Sequence, residues 1–244
     1  MDENYFLFLL LAFVSEVIGT VSGFGSSILF VPLASLFFDF KSVLGITAVF
    51  HVFSNLSKIL LFRNGVEKNL VLKLGIPAVI FVAIGALITS FFPTKQIELV
   101  MNLVLVFLSV YLLLNSKKQL KQTDANLYFG GIMSGFIAGV AGTGGAIRGS
   151  VLSAFQLRKD VFIATSAMID LGVDFSRAAV YISNGYFNSE HLFLIPFLIG
   201  IGFLGTYFGK FILGYTSEVV FKYIVIGVII STAIFQIIRY FFDF

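Results

Sequence analysis

The chain has 244 residues, 58% of them hydrophobic and 12% charged, with mean hydropathy +1.01, no Cys, no Trp and two His. A soluble domain of this length carries about twice that charged fraction, so the composition excludes a cytosolic enzyme, a disulfide-framed secreted module and a disordered tail. The net charge of +3 comes from sixteen Lys and Arg scattered between apolar segments, not the contiguous basic stripe that nucleic acid requires, and two His without a thiol leave no metal site or cofactor to expect.

Met1-Asp2-Glu3-Asn4 places acidic residues where a signal peptide is basic, and the apolar stretch behind it has no cleavage signature, which predicts a retained N-terminus. Apolar stretches follow at 5–38, 43–62, 70–92, 97–114, 127–157, 161–182, 191–213 and 219–238, and predict an all-α, multi-pass protein of the cell membrane with no room for a soluble domain. The stretches 5–38 and 127–157 exceed the roughly 20 residues that one spanning helix needs. Glycines interrupt each near its middle, so each reads as two short helices.

The chain is also duplicated. At an offset of 119, Gly23 falls on Gly142, Gly25 on Gly144, Ile28 on Ile147, Leu33 on Leu152, Ala48 on Ala167 and Pro77 on Pro196. The same offset places Asn55 on Asp174, Ser57 on Ser176 and Lys58 on Arg177, while Asn64-Gly65 meets Asn184-Gly185 after a one-residue insertion. Residues 1–122 and 123–244 are therefore expected to be two repeats of one transmembrane domain.

Loop charge separates a parallel from an inverted duplication. With the Lys117, Lys118, Lys121 loop taken as cytoplasmic, glycine-broken stretches that return to their own side leave nine Lys and Arg inside and three outside; stretches that cross once leave six and six. The inverted arrangement follows: in each repeat a helical hairpin and then three transmembrane helices, with both termini outside. A pseudo-two-fold axis in the membrane plane would bring the hairpin tips, Ser22 to Ser27 and Gly139 to Gly145, together near the midplane.

Helices starting near Ser26 and Gly145 aim free N–H groups and positive dipole ends at that meeting point, which favours an anion, and glycine lets a ligand approach the backbone. Glycines at helix junctions also serve close packing, so Gly23 taken singly is ambiguous. Gly142-Thr143-Gly144-Gly145 followed by Arg148 is more specific, because a cation in the first turn of a buried helix opposes the dipole and is expensive in a membrane. An anion bridging Arg148 and the amides relieves both penalties. The alternative is a structural ion pair with Asp170 or Asp174.

His51, Asn55 and Lys58 lie on one helical face at i, i+4, i+7, and Asp170, Asp174 and Arg177 repeat the spacing. Asp174 with Arg177 at i, i+3, or Lys58 snorkelling to the cytoplasmic surface, would account for part of this without function. The expected substrate site is Ser22, Gly23, Gly25, Ser26, Gly142, Thr143, Gly144, Gly145, Arg148, Asn55, Lys58 and Arg177. Asp170, Asp174 and His51 are the groups for proton coupling, since a carboxylate held away from water can exchange a proton as its access changes. Glu16, alone in the first apolar helix, either joins that path or bonds a neighbouring backbone, and the latter is preferred. Enzyme signatures fail: Gly139 to Ala146 has Walker-spaced glycines but ends in Gly145-Ala146 where Lys-Ser/Thr should stand, and no Gly-x-Ser-x-Gly or HExxH occurs.

Gly23-Phe24-Gly25-Ser26 leading to Val31-Pro32-Leu33, answered by Gly139-Val140-Ala141-Gly142-Thr143-Gly144-Gly145, resembles the sulfite exporter TauE/SafE family over nearly the whole chain. The resemblance implies a membrane permease, described with seven or eight crossings, for sulfite, sulfonates and related organosulfur anions. Gly-Phe-Gly-Ser-Ser replaces the longer glycine run of many members, and Arg148 enters the second motif's helix, so the substrate is free to differ within that class. The expected function is secondary transport of a small, sulfur-containing anion by alternating access; a passive anion channel and a membrane sensor or scaffold are the rivals.

Overall fold

The computed structural model describes residues 3–23, 25–62, 65–114, 121–215, 234 and 238. These form α1 (Glu3–Ser22), α2 (Ser27–Ala34), α3 (Phe40–Leu61), α4 (Lys68–Leu70), α5 (Ile76–Thr89), α6 (Thr94–Leu114), α7 (Asp124–Ala141), α8 (Gly145–Ser153), α9 (Lys159–Ser183) and α10 (Ile195–Leu213), with no strand among the described residues. Nearly all of the last expected stretch, 219–238, lies outside them, as do Phe24, Asn64 and the topology-setting Arg63, Lys117, Lys118, Lys222 and Arg239.

Four described helical segments are long and apolar enough to cross a membrane: Tyr5–Ser22, Phe40–Leu61, Lys68–Thr89 and Ser189–Leu213. The last two are irregularly wound at their starts, through a π turn at Val71–Gly75 and a 3-10 turn at Ser189–Leu194. Each irregular turn stands just ahead of a proline, Pro77 or Pro196, at the second position of the helix that follows. A proline ring collides with the carbonyl four residues back in regular α-helix, and the altered turn moves that carbonyl aside.

Polarity is arranged inside out. Ile76, Ile80, Ile84 and Leu87 of α5, and Ile199, Phe203, Tyr207 and Phe211 of α10, are exposed at helical spacing, whereas Glu16, Lys58, Arg148, Asp170, Asp174 and Arg177 are buried. Apolar outer faces of this extent suit hydrocarbon as solvent and leave polar groups to the interior.

Both glycine-broken stretches are hairpins, with unequal arms: 20 and 8 residues for α1 and α2, 18 and 9 for α7 and α8. The expectation of two short helices is met by the second arm only. In the first hairpin the Phe8 ring lies 5.6 Å from Phe30 and 5.1 Å from Phe38, and Tyr5 lies 6.3 Å from Phe38, so the chain returns to the side on which it entered. In the second, Leu127 shares a buried cluster with Val151 and Leu152, and Gln122 Nε2 donates to the Ala154 carbonyl at 2.7 Å. The tips turn on left-handed residues, Gly25 at φ +84° and Gly142 at φ +74°, a region that residues with a Cβ enter at a cost.

The halves exchange partners: α1 packs on α10, α7 on α5, and α3 on α9. On the α7 side the contact is backbone on backbone, because a Cβ added at Gly135 would lie 2.7 Å from the Ala78 Cα, and one at Gly139 would lie 2.6 Å from the Ala86 nitrogen. The hairpin tips are thereby set against α3 and α9, whose facing sides are polar.

Candidate functional site

One buried polar cavity lies between the tips and the α3 and α9 faces, lined by Gly25, Ser26, Ser27, His51, Asn55, Lys58, Ala138, Gly142, Gly144, Arg148, Asp170, Asp174 and Arg177. Its two walls meet at the residues that the offset of 119 equates: Asn55 Nδ2 donates to Asp174 Oδ2 at 2.7 Å. The free space at the centre is about 10 Å³, room for a single water-sized sphere.

Helical spacing delivers these groups. His51, Asn55 and Lys58 are buried along one side of α3, and Asp170, Asp174 and Arg177 along the matching side of α9. Arg177 is fully engaged: Nε and Nη2 each lie 2.7 Å from Asp174 Oδ1, Nη1 donates to the Gly142 carbonyl at 2.6 Å, and Nη2 lies 3.2 Å from His51 Nδ1. An arginine only donates, so His51 accepts at Nδ1 and its Nε2 hydrogen faces Ser26 Oγ, 2.9 Å away. Ser26 Oγ in turn donates to Glu16 Oε2 at 2.6 Å. A hydrogen-bonded line thus runs from the second tip through Arg177, His51 and Ser26 to Glu16.

Arg148 is the exception to this saturation. It occupies the first turn of α8, is 4% exposed and forms an ion pair with Asp170 through Nη2, while its Nε and Nη1 have no hydrogen-bond partner among the described residues. Among the described residues Asp170 has one other donor, Ser166 Oγ at 3.3 Å from Oδ2. The Arg148–Asp170 and Asp174–Arg177 pairs weighed from the sequence both form. Beside them, at the start of α8, the Ile147 and Arg148 N–H groups donate to the Gly144 carbonyl, while those of Gly145 and Ala146 precede the first intrahelical bond, so the guanidinium and the helix end both offer donors.

Four expected site residues stand outside the cavity lining. Ser22 Oγ bonds the Gly19 carbonyl, Gly23 abuts the Phe162 ring, Gly145 opens α8, and Thr143 accepts a hydrogen bond from Ser27 Oγ at 3.4 Å, joining the two tips. Lys58 does not snorkel outward. At 5% exposure it turns in, with Nζ 2.7 Å from Glu16 Oε1 and 2.8 Å from Ser54 Oγ.

Glu16 is the group that sequence reasoning undervalued. Its partners are side chains, not a neighbouring backbone: Oε1 also accepts from Ser54 Oγ at 2.7 Å, Thr206 Oγ1 at 3.0 Å and Thr20 Oγ1 at 3.2 Å. An acidic side chain in an apolar helix demands a cation, and that demand was the signal pointing to Lys58. Among the described residues no group of three or more His, Cys, Asp or Glu could hold a metal ion. The cavity is thus a charged, donor-rich chamber between two hairpin tips.

The sequence profile described as Sulfite exporter TauE/SafE matches residues 7–235. No curated protein and no solved structure gives a significant match to the chain.

Proposed function

The chain belongs to the sulfite exporter TauE/SafE family, a family of membrane transporters of sulfite and organosulfur anions, and from that premise we propose that it moves a small sulfur oxyanion across the cell membrane as a multi-pass secondary transporter, with the anion bound at Arg148. The observation that carries this reading is the pair of buried guanidinium nitrogens, Nε and Nη1, without acceptors among the described residues. Leaving such donors unmet is costly, and an oxyanion beside the α8 N-terminus would satisfy them.

In this reading the two halves are inverted repeats, and the cavity on their pseudo-axis is reached alternately from either side. The returning hairpins, the partner exchange of α1 with α10 and α7 with α5, and the Asn55–Asp174 contact all support it. Water-sized free space at the centre favours alternating access over a standing pore. Asp170, Asp174 and His51 are the groups through which a proton would be coupled. The Gly25, Ser26, Gly142 and Gly144 backbone, with Asn55, Lys58 and Arg177, would frame the anion.

A thermal-shift screen of the purified protein against sulfite, thiosulfate, short sulfonates, carboxylates, nitrate and phosphate tests the site. A ligand of the folded state at about 100 times its Kd stabilises by roughly 2.7 kcal/mol. Stabilisation by sulfur oxyanions that vanishes in Arg148→Ala is the expected result. A folded Arg148→Ala protein stabilised as strongly as the wild type would move the anion elsewhere.

A further inference from the structure

Among the described residues, three cations and two carboxylates line the cavity and a third carboxylate, Glu16, lies behind it, each cation on its own carboxylate: Lys58 on Glu16 at 2.7 Å, Arg177 on Asp174 at 2.7 Å, and Arg148 on Asp170. His51, accepting from Arg177, adds no charge. The cluster sums to zero before any ligand enters. An anion added to it leaves one uncompensated negative charge inside a low-dielectric chamber, a penalty that buried sites relieve by gaining a counter-charge or a proton.

The three pairs are not equally able to open. Glu16 keeps four hydroxyl donors besides Lys58. Asp174 has Nε and Nη2 of Arg177 and the Asn55 amide, and Arg177 is further tied to Gly142 and His51. Among the described residues Arg148 has one partner and two idle nitrogens, and Asp170 without Arg148 retains a single hydroxyl. Around Asp170, α8 brings Arg148, α3 brings His51 and Lys58, and α9 itself brings Asp174 and Arg177. Lys41 of α3 sits over the Tyr186 ring, Lys73 of the π turn and Asp124 of α7 are spent on each other at the surface, Tyr128 of α7 is 47% exposed, and α5 carries no titratable residue.

Resting on the reading of Arg148 as the anion's ligand, we propose that the entering anion takes Arg148 from Asp170 and that Asp170 takes up one proton in the same step, so that the site carries one monovalent anion with one proton. The Arg148–Asp170 contact breaks, the Arg148–anion contact forms, and a proton from solvent ends on an Asp170 oxygen. The net charge of the chamber is unchanged. A dianion would leave it at minus one, so the site selects monovalent oxyanions such as sulfonates over sulfate.

Calorimetric titration of the purified protein with methanesulfonate, an anion that does not itself titrate near neutral pH, tests this in two buffers of different ionisation enthalpy. The wild type is expected to take up about one proton per anion, with affinity falling about tenfold per pH unit through the coupled range, and to bind sulfate far more weakly. Asp170→Asn is expected to bind without proton uptake and without that pH slope, while Asp124→Asn, at the surface pair with Lys73, retains both. Wild-type binding with no proton uptake, or uptake surviving in Asp170→Asn, overturns the proposal. If Asp170→Asn does not fold, Asp170→Ser is read in its place, and wild-type binding without uptake overturns the proposal in either case. Failure of methanesulfonate and every other sulfur oxyanion to bind the wild type would instead remove the anion reading on which the proposal stands.

Discussion

Glu16 collects five side-chain donors from α1, the α2 cap, α3 and α10, at zero exposure. Such a node is costly to break from one side only, because the surviving charge stays buried without its partner. Glu16→Gln leaves the Lys58 ammonium stranded and is expected to cost about 3–5 kcal/mol, read as a lowered melting temperature in detergent. Adding Lys58→Met removes the stranded charge, while the Gln carbonyl oxygen still accepts on the side of Thr20, Ser54 and Thr206 and its amide nitrogen can donate to Ser26 Oγ. The double variant should therefore recover most of the loss, and a double variant as unstable as Glu16→Gln would show that the hydroxyl shell, not the ion pair, does the holding. Of this node only Thr20, at i+4, was within reach of sequence spacing; Ser54 and Thr206 lie 38 and 190 residues away, separations at which no periodicity speaks. Arg148 and Arg177 were legible because a cation in an apolar segment stands out and its acidic partners recur at i, i+4 along one helix.

At the scale of elements, the two hairpins are held by opposite means. The first uses the Glu16 node, with Gly205 and Gly209 of α10 making room for the Glu16 and Thr20 side chains; the second puts Gly131 against the Leu74 carbonyl of the π turn, and Gly135 and Gly139 directly against the α5 backbone. Gly135→Ala would set a methyl 2.7 Å from the Ala78 Cα, which no side-chain rotation relieves. Overpacking of this kind typically costs about 1–3 kcal/mol. Gly200→Ala, on a helix with open space at the Cβ, is expected to be neutral or to stabilise by up to about 1 kcal/mol. Equal melting temperatures for the two variants would mean that α7 and α5 are not in backbone contact. The hairpins themselves were readable from apolar stretches too long for one crossing and broken by glycine. Their unequal arms were not, since the glycines mark where the chain turns and not how far each arm then runs: α2 stops at Ala34, eight residues on, before Asp39 caps α3.

For the whole molecule, the proposed alternating access requires the two tips to move relative to one another, and among the described residues one direct side-chain bridge joins them, Ser27 Oγ to Thr143 Oγ1 at 3.4 Å. Neither hydroxyl is needed to hold a charge, and the chain has no cysteine of its own, so Ser27→Cys with Thr143→Cys introduces a single designed pair. The oxygens are close enough for their sulfur replacements to approach bonding distance with small side-chain adjustments. Oxidation of that pair in reconstituted vesicles is expected to stop flux of the stabilising anion, and reductant to restore it, while each single-cysteine variant is indifferent to both. Binding measured by thermal shift should respond differently from flux, because a bridge between the tips fixes their relation without touching Arg148 or Asp170. Flux that continues through the oxidised pair would show that the tips stay joined throughout transport, and the moving boundary would then have to be sought away from the cavity, at the α1–α10 and α7–α5 contacts.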